Sequence, residues 1–243
     1  MEVYRNDAKI KRYKTIAQGA SLLGLSVLGV GLYLSFQGDP EMATIQLVTL
    51  LVGILLWQVS LYFSNTYVNS PRPDELLDDA LRAASYKSHV YHYSLPLNHV
   101  MLTRSGPVAF VIKNQSGKIS VSGDKGDRWK RSGMNLRRFL GQEPALGNPT
   151  REASVAIGEL VKFIKEKAPE IDEIPIGSII IFTDPQVKAT LNITESGMPA
   201  LHISDLKAYI RKQLGRPLPP EKYRRLRTIF EEASVEAGAV KVE

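Results

Sequence analysis

The densest group of side chains that could bind a ligand is a basic, glycine-rich stretch at residues 123–138. Its cations are Lys125, Arg128, Lys130, Arg131, Arg137 and Arg138. Lysine and arginine bind phosphate oxygens, and the indole of Trp129, within the stretch, can stack on a base. Anionic lipid headgroups offer the same phosphate chemistry. We predict contacts to nucleic acid or anionic lipid from Lys125, Arg128, Trp129, Lys130 and Arg131. The alternative is a solvated loop with Trp129 packed against the protein.

Several other chemistries find little support in the sequence. There is no cysteine, which excludes disulfides, thiolate zinc sites and cysteine nucleophiles. His89 and His92 are three residues apart in a strand-like run, so they point to opposite faces and suit one metal ion poorly. No phosphate-binding loop, nucleophile elbow or dinucleotide fingerprint occurs. We therefore predict neither a cofactor nor a resident metal.

The elements that would position these side chains begin with a helix over residues 74–84, which has acids in its first turn. Strand-like runs follow at His89–Leu95, Val100–Thr103, Val108–Lys113 and Lys118–Ser122. The loops between these runs are too short for crossovers, so an antiparallel meander is predicted.

The second half of the soluble region alternates helices and strands. Asn148-Pro149 opens a helix that reaches about Lys167, because Asn is a favoured N-cap and Pro a favoured first-turn residue. The apolar run Ile176–Phe182 predicts a strand buried on both faces. Short strands at 191–193 and 200–203 and helices at 204–214 and 221–233 complete the prediction. The fold class is an α/β sandwich built around one mixed sheet.

Residues 95–129 resemble the core of the nuclease-related domain (NERD) family, which belongs to the restriction-endonuclease-like PD-(D/E)xK superfamily. The family pattern runs Asp-His, a Gly turn, Glu-x-Lys-Asn, Gly, Trp and a later Asn-Pro helix start. The landmarks here are Asn98-His99, Ser105-Gly106, Val111-Ile112-Lys113-Asn114, Gly117, Trp129 and Asn148-Pro149. The resemblance covers roughly residues 74–185 and implies a restriction-endonuclease-like sandwich.

The sequence departs from this family at the metal ligands. The resemblance implies that an Asp and a Glu hold a divalent ion while the Lys orients water or phosphate. Asn98 stands at the Asp position and Val111 at the Glu position, so both standard carboxylates are missing while Lys113 is kept. Hard divalent cations need anionic oxygen ligands, so the usual cleavage mechanism loses its metal.

Two hypotheses about function follow. In the first, the domain is catalytically inactive and acts as a binding or scaffold module for nucleic acid, anionic lipid or a protein partner. In the second, it is an active Mg²⁺-dependent nuclease with migrated ligands, in which Glu152 and Glu75 supply carboxylates beside Lys113. The candidate residues of this degenerate site are therefore Asn98, Lys113, Glu152 and Glu75, and the sequence favours the inactive reading.

The most apolar parts of the chain are two uncharged segments near the N-terminus, about 16–36 and 42–64. Each exceeds the roughly 20 residues that a helix needs to cross a bilayer. The linker between them has five residues, so the helices must form an antiparallel hairpin. We predict a membrane anchor over 1–64, a linker over 65–73 and a soluble domain over 74–243.

The distribution of charge predicts the orientation of this hairpin. Five basic residues precede the first segment, namely Arg5, Lys9, Lys11, Arg12 and Lys14. In the loop between the segments, the charged residues are both acids, Asp39 and Glu41. Basic flanks stay inside, so both termini and the soluble domain are predicted to be cytoplasmic in a multi-pass protein of the cell membrane. The net charge of +6 also favours acidic partners such as nucleic acid or anionic lipid.

Overall fold

The structure is a computed structural model that describes residues 1–38, 40–83, 88–133, 143–171, 174–188, 191–212 and 215–242. Two compact units are present. One contains Met1–Ala8 together with Pro73–Glu243, and the other contains Lys9–Arg72. The chain is therefore mixed α/β with two long apolar helices near its N-terminus.

The unit at residues 9–72 is a helical hairpin. Helix α1 spans Asp7–Gln37, a short 3₁₀ turn covers Pro40–Met42, and α2 spans Ala43–Tyr67. Both helices are long and apolar enough to cross a membrane, and large apolar side chains such as Leu22 and Phe36 are exposed on them. Such surfaces are unusual for helices packed in a soluble core.

Small residues let the two helices of the hairpin approach each other. The buried positions of α1 recur every seven residues and are Ile10, Ala17, Gly24 and Gly31. A Cβ at Gly53 of α2 would lie 2.5 Å from the Leu28 side chain, so a larger residue would force that side chain to move. The Ser60 hydroxyl donates to the Ala17 carbonyl across the interface at 2.9 Å. Close packing and interhelical hydrogen bonds are the contacts that hold helices together in lipid.

The other unit is built on a seven-stranded mixed sheet. Its strands are β1 (Glu2–Arg5), β2 (His89–His92), β3 (His99–Thr103), β4 (Gly106–Lys113), β7 (Gly177–Phe182), β8 (Ala200–His202) and β9 (Val240–Val242). Their order across the sheet is β8-β7-β4-β3-β2-β1-β9. β2, β3 and β4 are antiparallel neighbours, while β7 runs parallel to β4.

A separate two-stranded ribbon pairs β5 (Lys118–Ser122) with β6 (Arg128–Ser132). The prediction that Lys118–Ser122 extends the meander is wrong, because its partner is the basic stretch that follows it and not β4. Residues 191–193, predicted as a strand, contribute a single bridge from Asn192 to Ser120.

The helices of this unit are α3 (Pro73–Ala83), α4 (Pro149–Lys167), α5 (Leu206–Lys212) and α6 (Pro220–Glu236). α4 and α6 pack on one face of the main sheet, where Leu160 and Phe230 meet Tyr91 and Leu102. On the other face, α3 and α5 pack through residues such as Leu77 and Ile210. The predicted α/β layering and the central positions of β4 and β7 are confirmed.

The N-terminal boundary of the soluble domain differs from the prediction. Residues 2–5, assigned from the sequence to the anchor, form β1 between β2 and β9. Val3 is 1% exposed and lies in the core with Leu77 and Val90. The second helix also continues to Tyr67, past the predicted end at residue 64. A four-residue strand carries too little periodicity to be found before its partners are known.

Candidate functional site

Lys113 ends β4 and is held inside the domain. Its ammonium donates to the Leu146 carbonyl at 2.9 Å and lies 2.6 Å from Glu152 Oε1. The Lys113 side chain is 9% exposed and that of Glu152 46%. A buried ammonium is costly unless it is paired and hydrogen-bonded, and both conditions are met here. The cation is therefore engaged by the protein itself.

A short loop and the start of α4 build this pocket around the ammonium. Asn148 caps α4, since its side chain accepts a hydrogen bond from the Arg151 amide at 3.0 Å, and Glu152 follows in the first turn. Gly147 has a positive φ of +69°, and a Cβ there would lie 2.9 Å from Glu152 Oε1. Glycine is thus required both for the backbone conformation and for the space beside the ion pair.

The two positions at which the family resemblance expects metal ligands contain no acid. Asn98 lies just before β3, and Val111 lies within β4, the antiparallel neighbour of β3. Asn98 is exposed, and its carbonyl accepts a hydrogen bond from the Tyr93 amide at 2.7 Å. Val111 packs beside the cluster of Ile119, Ile180 and Phe182. The two positions therefore offer an amide and an isopropyl group in place of two carboxylates.

The two carboxylates of the migrated-ligand hypothesis lie on different helices. Glu152 is beside Lys113, as that hypothesis requires. Glu75 lies in the first turn of α3, and α3 packs on the face of the sheet opposite to α4. Among the described residues, the group of three His, Asp or Glu side chains close enough to share an ion is Glu2, His89 and Glu231. Neither Glu152 nor Glu75 belongs to it.

Glu2, His89 and Glu231 form an ion-pair cluster with two cations. Arg227 lies 2.7 Å from Glu231 Oε1 and 3.5 Å from Glu2 Oε2, and Lys241 lies 3.3 Å from Glu2 Oε2. The two negative charges are thus matched by two positive ones, which occupy the oxygens that a metal would need. Burial, and then Arg227, lower the pKa of His89, although Glu2 and Glu231 oppose the shift.

The β5–β6 ribbon divides the predicted ligand-contacting residues between two faces. Trp129 points inward: its indole N–H donates to Thr150 Oγ1 at 2.8 Å, and its ring lies 5.7 Å from that of Phe182. Arg131 points inward too, forming an ion pair with Glu143 and donating to the Ser116 carbonyl at 2.6 Å. These contacts correct the prediction that Trp129 and Arg131 face a ligand, because both side chains are used to hold the ribbon on the domain.

Lys125, Arg128 and Lys130 are exposed, as the prediction of a ligand-binding surface requires. Lys118 of β5, which the sequence did not single out, is exposed on the same ribbon. Only the pairing of β5 with β6 places Lys118 on the same ribbon as Arg128 and Lys130. Arg137 and Arg138, the other cations of the basic stretch, lie outside the described residues.

A buried polar network on the α3 face was missed from the sequence. His92 Nε2 lies 3.0 Å from Asp78 Oδ1, and His92 Nδ1 lies 2.9 Å from His99 Nδ1. One arrangement satisfies both contacts: His92 donates through Nε2 to the Asp78 carboxylate and accepts at Nδ1 from the N–H of His99. Burial and the neighbouring His92 hold the pKa of His99 well below its usual value. The contact between His92 and His99 could have been predicted from a β2–β3 hairpin, because the two residues are register partners beside its turn.

Asp74 anchors the start of α3 next to this network. It is fully buried, accepts a hydrogen bond from the Tyr93 hydroxyl at 3.2 Å and lies 3.6 Å from the guanidinium of Arg5. Arg5 ends β1, so this ion pair joins the last residue of the N-terminal strand to the first turn of α3. Asp74 and Asp78 of α3 therefore serve structural contacts.

Comparisons with known proteins do not extend this description. A scan against models of protein families, a search of curated proteins and a search of solved structures each found no match for the chain.

Proposed function

We propose that this chain is a membrane-anchored module whose soluble domain is NERD-like, lacks metal-dependent nuclease activity and works by binding. The order of elements supports the relationship: a helix, three antiparallel strands, a helix and then a strand parallel to the third. This order agrees with the sandwich that the sequence resemblance implies. Fold alone says nothing of activity, so the residues at the site carry the argument.

The observation that carries the proposal is the state of Lys113. In a metal-dependent site, this lysine would face a metal, a water or a scissile phosphate. Here its ammonium is buried and hydrogen-bonded to Leu146 and Glu152, while Val111 leaves the neighbouring ligand position apolar. Metal-dependent hydrolysis needs anionic oxygens that hold the ion, and the ion then lowers the pKa of its bound water. The side chains present stabilise a lysine instead.

The helical hairpin is the membrane anchor of this proposal. It supports a multi-pass protein of the cell membrane with both termini and the soluble domain in the cytoplasm, because basic residues precede the first apolar segment and the loop carries acids. The compact unit formed by Met1–Ala8 and Pro73–Glu243 agrees with this arrangement, since two crossings return the chain to the side on which it began.

The decisive experiment is a nicking assay on supercoiled DNA with the full-length protein in detergent and with Mg²⁺ or Mn²⁺. We expect no cleavage above that of the Lys113→Ala variant, because neither protein has the carboxylates that hold the ion. A nuclease that is active in the same buffer provides the positive control. Metal-dependent cleavage that disappears in Glu152→Gln would establish the migrated-ligand mechanism and overturn the proposal.

A further inference from the structure

We propose that the outward face of the β5–β6 ribbon binds the phosphate backbone of double-stranded nucleic acid. This inference rests on the proposed function as a binding module and names its ligand. The outward face comprises the alternate residues of the two strands, with Lys125 in the turn that joins them. It consists of Lys118, Ser120, Ser122, Arg128, Lys130 and Ser132.

The strand register gathers these six side chains on one surface. Lys118 pairs with Ser132, Ser120 with Lys130, and Ser122 with Arg128. Residues opposite each other on a ladder share a face, so each cation lies beside a hydroxyl group. Three of the six residues are cations and three carry hydroxyls, and none of the six carries a carboxylate. The acids of the turn, Asp124 and Asp127, lie at one end of the ribbon.

The cations of this face are not neutralised by the protein. Lys118, Lys125, Arg128 and Lys130 make no ion pair or side-chain hydrogen bond with any other residue that the structure describes. Basic residues elsewhere behave differently, since Arg225 pairs with Glu170 at 2.7 Å and Arg227 with Glu231 at 2.7 Å. Binding to a phosphate would therefore break no internal ion pair of these four side chains.

Contacts of the inward side chains hold the ribbon on the rest of the domain. Ile119 and Val121 are buried, Trp129 is hydrogen-bonded to Thr150, and Arg131 is paired with Glu143. Thr150 in turn donates to the carbonyl of Gly126 in the turn at 2.8 Å. The outward side chains thus project from a preorganised backbone, which lowers the entropic cost of binding.

The chemistry of the face favours a duplex over the two other phosphate-rich surfaces. Single-stranded nucleic acid is held by aromatic rings that stack on its bases, and the aromatic side chain of the ribbon, Trp129, points inward. The six outward positions hold no apolar side chain that would insert between lipids. A two-stranded β-ribbon fits the major groove of a duplex, where lysine, arginine and serine donate to phosphate oxygens.

The test uses full-length protein in nanodiscs of uncharged phosphatidylcholine and a fluorescent DNA duplex, with binding followed by anisotropy. Four phosphate contacts predict that affinity falls by roughly 100-fold between about 50 and 200 mM salt. The triple variant Lys118→Ala, Arg128→Ala, Lys130→Ala should bind about tenfold or more weakly at ~100 mM salt and depend on salt with a slope of only about −0.9.

A matched control removes the same charges from the other face of the sheet. Lys207, Arg211 and Lys212 of α5 are also exposed, and their replacement by Ala likewise removes two lysines and one arginine. This variant should bind the duplex within about twofold of the unchanged protein, because no phosphate contact is lost. A second ribbon variant, Ser120→Glu with Ser122→Glu, keeps every cation and should weaken binding by placing acids beside Lys130 and Arg128.

Three results would overturn the inference. The duplex could fail to bind at about 50 mM salt, where phosphate contacts are strongest. The two alanine variants could lose affinity equally, which would indicate attraction to net charge alone. Vesicles rich in phosphatidylserine could bind through the ribbon while the duplex does not, which would make the ligand a lipid headgroup. None of these results bears on cleavage, so the absence of nuclease activity is judged separately by the nicking assay.

Discussion

At the scale of single residues, Lys113 and His99 illustrate two ways of accommodating a buried titratable group. Lys113 is paired with a carboxylate, since its Nζ lies 2.6 Å from Glu152 Oε1. His99 is 4% exposed, and its Nδ1 lies 2.9 Å from His92 Nδ1; burial lowers its pKa, and Asp74 opposes the shift. Burial therefore selects the neutral imidazole and leaves the domain sensitive to acid.

The lowered pKa of His99 predicts a loss of stability at acid pH. Below about pH 6.5 the unfolded chain binds a proton at this position while the folded chain does not, so protonation favours unfolding. The free energy of unfolding should fall by up to about 1.4 kcal/mol per pH unit from this group as pH drops from 6.5 towards the folded pKa. Above pH 6.5 both states are neutral and the effect vanishes.

The measurement is denaturant unfolding of the full-length protein and of His99→Asn between about pH 7 and 5. Asn retains a hydrogen-bond donor and does not titrate, so the variant should show a shallower pH dependence. His89→Asn is a useful comparison, because the pKa of His89 is also lowered but His89 lies in a separate cluster. Identical slopes for His99→Asn and the unchanged protein would contradict the argument.

At the scale of elements, β1 shows that the N-terminal residues belong to the soluble domain. The strand lies between β2 and β9, so without it these two strands lose their common neighbour. Beyond its end, the Asn6 side chain donates to the carbonyl of Ala237 at 2.5 Å. A soluble fragment that begins near residue 65 would lack this strand and expose the core around Val90. Binding and cleavage are therefore better measured on the full chain.

The burial of Val3 makes the role of β1 measurable. Val3→Ala should lower the free energy of unfolding by roughly 1–3 kcal/mol, because it removes buried methyl groups and leaves a cavity beside Leu77 and Val90. Val240→Ala in the neighbouring strand β9 is the matched control, since Val240 is 55% exposed. It should cost about 0.5 kcal/mol or less.

Denaturant unfolding, followed by a signal from the α/β unit, distinguishes the two valine substitutions. The result that would contradict a packed N-terminal strand is an equal and small effect of both. A large effect of Val240→Ala alone would indicate that β9 is buried by a contact that the exposed fraction of Val240 does not reflect.

At the scale of the whole molecule, the chain leaves the α/β unit after β1 and re-enters it at α3. Residues 1–8 and 73–243 are one compact unit, and residues 9–72 form the other. The ion pair between Arg5 and Asp74 joins the two points at which the α/β unit connects to the hairpin. If both helices cross the membrane, the strand at the N-terminus and the rest of its sheet must share one side.

Reporter fusions test this topology. A fluorescent protein that folds only in the cytoplasm should be fluorescent at the C-terminus, because the basic residues before the first apolar segment are retained inside. A phosphatase that is active only outside should be inactive at that position. Fused after Glu41, in the loop between the helices, the two reporters should give the opposite results. An exported C-terminus would show that the charge distribution does not orient this hairpin.

Features that depend on local composition and periodicity could be predicted from the amino-acid sequence. Two long uncharged segments indicated the hairpin helices, and α1 and α2 occupy them. The apolar runs at Val108–Lys113 and Ile176–Phe182 identified the central strands β4 and β7. Asn148-Pro149 identified the start of α4. Each signal arises within a few consecutive residues, because helix caps and buried runs are properties of a short stretch of chain.

The contacts between distant segments became visible only in the folded domain. It pairs β1 with β9 and joins Asp78, His92 and His99 in one hydrogen-bonded chain. It also turns Trp129 and Arg131 inward while leaving Arg128 and Lys130 exposed. Periodicity reports that a residue is buried but not what buries it. The partner is chosen by strand register and layer packing over the whole domain, and those depend on contacts between residues far apart in the chain.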